Sequence, residues 1–554
     1  MPNETQINEL QIGIKEAVES ENWTQVDHLQ TDLNILKERD AASICEHAYA
    51  VEQANDLPRA ATMLRRAIRL EPENSRAMLQ LGSVYLSLKR ISEAEKMFRS
   101  ILEIEPDNVS GTRYLVQCLQ DNDRDRAEAE ARLKHVLGID PENAAIWIQL
   151  GAILANDDKR FDEAEEAFRK GLELAPMAPS AYHNYGIIKR LRGDLEESKE
   201  LLEHANKLMP SDTDYAFSLM LCHLFREDLD SALEWVNQSI KYDPENNAAQ
   251  VYLAFILFLQ GKMREGWTQY ESRLKLSEFK NLNFGRPRWE GEDLNGETVL
   301  VLREQGMGDN IQFIRYAQQV AERGGEVVVY TWEHLSELFR SVEGVTTVTT
   351  AIPAPKYFHR FTPLLSLPYT LETDESNIPC EVPYMKAPDA DISTWAEKLS
   401  SYSGLLVGLV WRGNPLLVND RFRSAPLRDM CHLLTVPGVT FFSLMKERDV
   451  DTEPLPDGLN ELGHEFDNFT DTAAAIQNLD LVISVDTSVC HLAGALARPV
   501  WTLLAKGPDF RWGLTGETTP WYPTMKLYRQ TQLGIWDDVL DRIRNDLQDL
   551  VATN

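Results

Sequence analysis

The sequence predicts an α-solenoid of helical repeats followed by an α/β region made of two Rossmann-like halves. The first observation is a regular series of helix-ending prolines in the first half of the 554-residue chain. The second is a change of pattern near residue 297, where short apolar strands begin to alternate with amphipathic helices. The third is that polar residues follow several of these strands, at the edge where a parallel sheet binds its ligands.

Composition and charge exclude several classes of function. The chain carries 56 Lys and Arg against 87 Asp and Glu, a formal charge of −31, which argues against nucleic acid as a main partner. The 6 cysteines are scattered, without a C-x-x-C pair or zinc-type spacing. There is no signal-peptide pattern at the start and no apolar run of about 20 residues. We therefore expect a cytoplasmic protein with no membrane span and no structural metal.

The helical half is built from a repeated unit. Prolines recur at Pro72, Pro106, Pro141, Pro176, Pro210 and Pro244, at intervals of 34 or 35 residues. Within one unit, small residues at Gly82 and Ala94 would let two antiparallel helices approach, with Phe98 filling the space beside them. This unit resembles the tetratricopeptide repeat, abbreviated TPR, in length, small positions and final proline.

The repeat pattern sets the predicted domain limits. Units start near residues 41, 75, 109, 144, 179, 213 and 247. We expect an N-terminal helical cap over 1–40 and a solenoid of about seven repeats over 41–280. Such an array either holds a partner on its concave face, the interpretation we favour, or serves as a spacer or oligomerisation scaffold.

Beyond the repeats, Gly, Pro and Asn predict a linker over 281–296. The segment TVLVLREQGMGDNIQFIRYAQQVAERGGEVVVYT then has the strand, glycine turn, helix and strand of a βαβ unit. We predict a first Rossmann-like half over 297–390 and a second half over 391–554.

One strand end, in LDLVISVDTSVCHLAGALARPVW, leads into a helix through Asp486, Thr487 and Ser488. A helix N-terminus carries free N–H groups and partial positive charge, which suit a phosphate, and His491 in the first turn could donate a further hydrogen bond. The alternative is a helix cap beside a partly buried histidine.

Five further strand-end or helix-start residues are candidates for binding a diphosphate or a ribose. Arg412 and Asn414 follow one strand, and Lys446 follows another, where cations could neutralise a diphosphate without a metal. Asp471 and Thr472 precede a helix, which they either cap or use to present a ribose ligand. Isolated cations of this kind are more often solvated surface charges.

The first strand of the α/β region leads into a turn with Gly306 and Gly308, followed by Asp309. A carboxylate at this position could take a proton from an attacking hydroxyl as a general base. The alternatives are N-capping or ionic support of Arg303 or Arg315. The G-x-G lacks a third glycine, so it does not indicate NAD.

Several segments together resemble the bacterial TPR-containing glycosyltransferases, including flagellin glycosyltransferases, which are related to heptosyltransferases and to O-linked N-acetylglucosamine transferases. They are EGWTQYESRL, EQGMGDNIQFIRY, VGLVWRGNP, DRFRSAPL, DTAAAIQNLDLVISVDTSVCHLAGALARPVWTLL, PDFRW and PWYPTMKLYRQ. The resemblance implies a metal-independent enzyme of GT-B fold with no cofactor besides its nucleotide-sugar donor. By the same resemblance, Asp309 is the base, Lys446 lies near the donor diphosphate, and Asp486 to His491 form the donor-binding strand and helix.

The resulting hypothesis is a protein O-glycosyltransferase that modifies Ser or Thr of an acceptor protein recruited by the TPR array, with flagellin as the candidate acceptor. A CMP-linked sialic-acid-like sugar is one candidate donor, and a UDP-linked hexosamine is another. Two alternatives stay open, a heptosyltransferase-like enzyme acting on a glycan or lipid-linked acceptor, and a TPR adaptor without catalysis.

Overall fold

The computed structural model describes residues 3–20, 22, 25–26, 28–29, 41–119, 123–276, 284–415, 420–446, 454–507 and 509–553. Within these residues the chain forms two compact units, Met1–Ile188 and Lys189–Asn554. The division falls inside the repeat array and not at the predicted boundary near residue 280. The last repeats pack in the same unit as the α/β region, and this packing is the physical reason for the difference.

The first unit is entirely helical in its described part. Its helices are α1 (Asn3–Glu19), α2 (Ala41–Gln53), α3 (Leu57–Leu70), α4 (Ser75–Ser87), α5 (Ile91–Ile104), α6 (Val109–Leu119), α7 (Asp123–Ile139), α8 (Ala144–Leu154), α9 (Phe161–Leu174) and α10 (Pro179–Arg192), of which α10 runs on into the second unit. Each predicted repeat start coincides with the first helix of a pair. The predicted N-terminal cap over 1–40 lies partly outside the described residues, and α1 is its longest described element.

Local sequence explains these repeats. The asparagine two residues after the repeat proline begins the next helix, since Asn74 Oδ1 accepts a hydrogen bond from Ala77 N at 2.9 Å. The small positions are required for packing, because a Cβ on Gly151 would lie 2.8 Å from the ring of Phe168. The solenoid of tetratricopeptide type is therefore confirmed.

The second unit begins with the remaining repeat helices. They are α11 (Leu195–Leu208), α12 (Thr213–Phe225), α13 (Leu229–Tyr242), α14 (Asn247–Leu259) and α15 (Met263–Tyr270). Phe258 of α14 stacks on Phe510 with ring centroids 4.5 Å apart and meets Trp267 of α15 at 4.4 Å. This aromatic core joins the last repeat to the α/β region.

Two parallel sheets form the rest of the unit. Their strands are β1 (Thr298–Leu302), β2 (Glu326–Tyr330), β3 (Val345–Thr349) and β4 (Arg360–Pro363) in the first sheet, and β5 (Leu405–Val410), β6 (Val439–Ser443), β7 (Leu459–Glu461), β8 (Leu481–Val485), β9 (Val500–Leu504) and β10 (Met525–Arg529) in the second. The order is β3-β2-β1-β4 in the first sheet and β10-β9-β8-β5-β6-β7 in the second. All described pairings are parallel, which confirms the Rossmann-like α/β prediction.

Helices connect the strands and cover the sheets. They are α16 (Met307–Phe313), α17 (Ala317–Ala321), α18 (Glu333–Phe339), α19 (Leu367–Thr370), α20 (Asp389–Leu399), α21 (Asp420–Arg423), α22 (Leu427–Met430), α23 (Phe469–Gln477), α24 (Ser488–Ala495) and α25 (Asp537–Thr553). No helix in the described part of the chain is long and apolar enough to cross a membrane.

The predicted linker packs against the first sheet where it is described. Trp289 is fully buried, its backbone N–H donates to Phe361 O at 2.9 Å, and its indole N–H donates to Glu292 O at 2.9 Å. Leu294 is also fully buried. Residues 284–296 therefore belong to the first α/β half, while 281–283 lie outside the described residues.

Candidate functional site

Each sheet changes direction of strand addition at one point, and the predicted loops after β1, β5 and β8 begin there. In the first sheet the chain adds β2 and β3 on one side of β1 and β4 on the other. In the second sheet β6 and β7 lie on one side of β5, and β8, β9 and β10 on the other. Such switch points form the ligand crevice of open α/β sheets. The turn after β1 carries Gly306, and the turn after β8 carries Asp486.

The turn after β1 is fixed by its own hydrogen bonds. Asp309 Oδ2 accepts from Gly306 N at 2.9 Å, which is the N-capping role considered from sequence. The Asn310 amide donates to Glu304 O at 2.6 Å and to Gly306 O at 2.7 Å. Gln305 adopts a positive φ of 53° within the turn. This geometry leaves the other oxygen of Asp309 directed at a partner from the second half.

That partner is Arg511. Its guanidinium bonds Asp309 Oδ1, donates to Gln312 Oε1 at 2.7 Å, and pairs with Asp509 at 2.6 Å. Burial raises the pKa of Asp309, and the charge of Arg511 opposes that shift. Arg511 is only 8% exposed, and its pKa is raised by its two carboxylate partners despite burial. Asp309 is therefore a partly buried carboxylate held in one position.

The turn after β8 places its polar residues at the start of α24. Thr487 Oγ1 caps the helix by accepting from Val489 N at 3.3 Å, so the capping interpretation applies to Thr487. The His491 Nδ1 and the Tyr522 hydroxyl are 3.0 Å apart, and His491 stacks on Trp512 with centroids 5.2 Å apart. Burial, followed by the charges of Arg511 and other arginines, lowers the pKa of His491 well below its usual value. The imidazole is therefore neutral at pH 7.

The two turns touch each other. A Cβ on Gly308 would lie 3.0 Å from His491 Cδ2 and 3.4 Å from Ser488 Cα, so glycine permits this approach. Asp486 Oδ1 lies 3.9 Å from His491 Nε2. Burial and Asp509 raise the pKa of Asp486, and Arg423 opposes them. We define the inner cluster as Gly308, Asp309, Asp486, His491 and Arg511.

The loop after β5 adjoins this cluster through α21. Gly413 N donates to Ser424 Oγ at 2.9 Å, and that hydroxyl donates to Asp420 Oδ2 at 2.8 Å. A Cβ on Gly413 would overlap the side chains of Arg423 and Asp420. The predicted Arg412 and Asn414 flank this glycine, Arg412 half-buried and Asn414 exposed.

The remaining predicted residues gather elsewhere. Lys446 is exposed after β6, and its Nζ donates to Asp467 O at 2.5 Å. Asp471 Oδ2 accepts from Asp467 N at 2.9 Å and from Asn468 N at 3.3 Å, and the second bond closes a capping box at the start of α23. Thr472 Oγ1 donates to Asn468 O at 3.3 Å. We define the outer cluster as Lys446, Asp467, Asp471 and Thr472. Because β6 is two strands from β8 in the sheet, the outer cluster lies roughly 10 Å to the side of the turn after β8.

A cavity of about 370 Å³ opens beside the inner cluster. It is lined by Leu221, Leu224, Phe225, Tyr252, Phe255, Leu259, Asp420, Phe422, Arg423, Asp486, Leu504, Ala505, Lys506, Gly507, Asp509 and Phe510. Six of these residues belong to the repeat helices α12 and α14, and the others to strand-end loops of the second sheet. Its polar groups are three aspartates and two cations, so it is suited to an elongated ligand with both apolar and charged parts.

Several of these residues were not predicted as site residues. Arg511 and Asp509 lie in PDFRW, while Asp420 and Arg423 lie in DRFRSAPL. Both segments contribute to the family resemblance, and this resemblance is the signal in the sequence that could have marked them as part of the site. Nothing in the local pattern shows that Arg511 reaches Asp309, because the two are 202 residues apart.

One group has the composition of a metal site. Ligand atoms of Asp486, Cys490 and His491 lie within 4.8 Å of one another. The thiol of Cys490 donates to Thr487 O at 3.0 Å, and burial raises its pKa. A metal ion bound here would have to deprotonate this thiol and displace its hydrogen bond.

The fold and the site thus define a repeat solenoid joined to a Rossmann-type transferase region. Residues 52–114 and 123–184 match the tetratricopeptide repeat family, and residues 467–533 match glycosyltransferase family 9 (heptosyltransferase). Protein FlbA of Caulobacter vibrioides is 26% identical over 574 aligned positions, which cover 97% of this chain and 89% of that protein. These matches support a bacterial TPR-containing glycosyltransferase.

Solved structures resemble the chain over shorter stretches. The TPR protein YrrB, described as having an unusual peptide-binding site, is 24% identical, covers 31% of this chain and 89% of its own, and has a TM-score of 0.26. A tetratricopeptide repeat protein from Parabacteroides merdae is 18% identical, covers 44% of this chain and 95% of its own, and has a TM-score of 0.37.

Proposed function

We propose that the protein moves a sugar from a nucleotide-sugar to a Ser or Thr hydroxyl of a protein acceptor held by its TPR helices. The observation that supports this function is the shared cavity. Repeat residues such as Tyr252 and Phe255 line the same space as Asp486 and Arg423 from the strand ends. An acceptor segment bound by the last repeats would therefore reach the region where a donor binds.

In this proposal Asp309 acts as the general base. The acceptor hydroxyl oxygen attacks the anomeric carbon, the bond from that carbon to the donor phosphate oxygen breaks, and the hydroxyl proton passes to the carboxylate. Each carboxylate oxygen has a second lone pair besides the one bonded to Arg511 or to Gly306. Burial, which raises the pKa of Asp309, favours proton acceptance. Arg511 is a positioning residue in this scheme.

The departing nucleotide carries its negative charge on phosphate. Three groups on the second sheet are suited to stabilise it, namely the N-terminus of α24, Arg423 and Lys506. This electrostatic support is how a GT-B enzyme without a metal would assist departure. We propose CMP-linked or UDP-linked sugars as donors and flagellin as the first acceptor to test.

The test is transfer measured by intact mass of the acceptor. Full-length protein is incubated with purified flagellin and each nucleotide-sugar, and a mass increase of one sugar residue is expected with one donor class. Asp309→Asn should reduce the rate by about 10²- to 10⁴-fold. Asp293→Asn is the matched control, because its side chain is 78% exposed in the same half, and it should retain full activity.

The outcomes separate the alternatives. If flagellin binds but no donor ever changes its mass, the protein acts as an adaptor or uses another acceptor. The match of residues 467–533 to a family described as heptosyltransferase favours a glycan as the second acceptor class. Transfer to a glycan with flagellin unmodified would support that function instead. Equal transfer by Asp309→Asn would contradict the assignment of the base.

A further inference from the structure

Arg190 is a buried arginine with no partner among the described residues. It lies near the end of α10, within the second compact unit, and is 6% exposed. Its Nε–H is fully enclosed and donates no hydrogen bond, and its guanidinium makes no ion pair with a described residue. Arginine stays protonated in proteins, so its charge has no counter-ion in this structure.

Other buried arginines in this unit are satisfied. Arg273 bonds both carboxylate oxygens of Glu304 at 2.9 Å. Arg315 donates to Trp521 O at 2.7 Å and to the Tyr384 hydroxyl at 3.0 Å. These contacts are typical of arginines that hold a fold together. Arg190 differs from them because it has no such hydrogen-bond or ion-pair partner within the described part of the chain. This difference favours a role for Arg190 in binding a ligand.

Arg190 neighbours residues that line the cavity, although it is not itself one of the lining residues. Its Cζ lies 5.5 Å from the ring centroid of Phe225, which in turn lies 5.9 Å from the ring of Phe422. Both phenylalanines line the cavity, as does Tyr252, whose hydroxyl interacts electrostatically with Arg190. The guanidinium therefore lies at the junction between the repeat wall and the loop after β5.

The charged group that acts on Arg190 is another cation, Arg421. Burial lowers the pKa of Arg190, and the neighbouring Arg421 adds to this shift. The aspartates that line the cavity do not pair with Arg190. An anion that enters from the cavity would remove this electrostatic cost, and the planar fork of arginine fits two oxygens at once.

We propose that Arg190 is an anion-binding residue that pairs with a carboxylate or phosphoryl group of the ligand occupying the cavity. Carboxylate and phosphoryl oxygens share the geometry that a guanidinium recognises. The site is assigned by burial and the lack of a partner, so it goes beyond the proposed transfer reaction. Anion binding can be measured without any turnover. A failure to bind anions would therefore leave the proposed transfer reaction standing, and a failure of transfer would leave the anion site standing.

The test is thermal unfolding of the full chain in potassium chloride, acetate or phosphate at equal ionic strength. Acetate stands for a carboxylate and inorganic phosphate for a phosphoryl group. At least one of them should raise the Tm of the wild type above the chloride value by roughly 2 °C. Arg190→Met should lose this increase, and in chloride it should be at least as stable as the wild type, since it removes an uncompensated buried charge.

Two further variants control the test. Arg226→Met removes an arginine that pairs with Glu196 at 2.9 Å on a neighbouring helix, and it should keep the full anion response. Arg190→Lys keeps the positive charge but loses the planar guanidinium, so it should keep part of the rise in Tm with the anion. A response to acetate alone identifies a carboxylate, and a response to phosphate alone a phosphoryl group. A large Tm loss of Arg190→Met in chloride, or an undiminished anion response in that variant, would overturn the proposal.

Discussion

The inner and outer clusters both consist of polar residues near strand ends, yet their partners lie at very different distances along the chain. In the inner cluster, Asp309 pairs with Arg511, 202 residues away. In the outer cluster, Asp471 bonds the backbone of Asp467 four residues away, and Lys446 bonds the same residue from 21 residues away. The local contacts of the outer cluster shape the start of a helix. The Asp309–Arg511 pair of the inner cluster exists only after both α/β halves have assembled.

The difference also appears in burial. Arg511 and His491 are almost fully enclosed, and the pKa values of Asp309, Asp486 and His491 are shifted by burial. Lys446 is exposed to solvent. Perturbed titratable groups at a sheet switch point are typical of functional sites. The inner cluster is therefore where substitutions should affect activity most.

The largest effect is expected from Arg511→Met. It leaves Asp309 and Asp509 without their shared cation and frees the Asp309 side chain to rotate. Misplaced catalytic groups cost on the order of 100-fold in rate, so transfer should fall at least that far. The measurement is kcat against KM for the acceptor, where loss should fall on kcat.

Arg511→Lys tests whether this role is positional. A lysine can pair with one carboxylate but cannot bridge Asp309 and Gln312 as the guanidinium does, so partial recovery of kcat is expected. Lys446→Met in the outer cluster should alter kcat far less. A Lys446→Met loss as large as that of Arg511→Met would remove the distinction between the clusters.

Gly308→Ala should weaken the contact between the two halves. The new methyl would lie 3.0 Å from His491 Cδ2, which requires a shift of the turn or of α24. Overpacking of this kind costs about 1–3 kcal/mol in the free energy of unfolding. Gly306→Ala is the matched control, because its Cβ would approach only one side-chain oxygen of Asp309, at 3.2 Å. Denaturant unfolding of both variants measures the difference, and equal stability would argue against the close approach.

His491 should make stability depend on pH. Its folded pKa is lowered by burial and by Arg511, so below pH 6.5 the unfolded state takes up a proton that the folded state does not. The contribution of His491 to stability is therefore fully present at a pH above its pKa in the unfolded state. It is lost as the pH falls towards its lower pKa in the folded state. Between pH 7.5 and 5.5 the wild type should lose about 1.4 kcal/mol more than His491→Phe. Parallel curves for wild type and His491→Phe would contradict a neutral buried imidazole.

The smallest effect is expected from Asp471→Ala. Its carboxylate closes the capping box of α23, and loss of such a cap costs about 1 kcal/mol. Nucleotide affinity, measured by titration calorimetry with CMP and UDP, should stay within about twofold of the wild type if the carboxylate acts only as a cap. A much larger loss of affinity would place the outer cluster in the donor site.

The repeat half illustrates how much a local pattern can specify. Predicted repeat starts such as 75 and 144 coincide with the first residues of α4 and α8. Each repeat packs mainly on its neighbours, so the residues that define it lie within about 34 positions of each other. The end of the array was harder to place, because Phe258 and Arg273 pack against Phe510 and Glu304 from the α/β region. Those contacts leave no trace in a repeat pattern.

The sequence by itself determined the repeat period, the parallel α/β class and the candidate loops at strand ends, because proline, glycine and apolar spacing act over one helix or one βαβ unit. Only the tertiary structure decided which loops meet, because parallel strands adjacent in a sheet come from distant parts of the chain. Gly308 against His491, Asp309 beside Arg511 and the unpartnered Arg190 near the cavity all depend on that assembly. Their chemistry follows from burial, which arises only when the two sheets and the last repeats pack together.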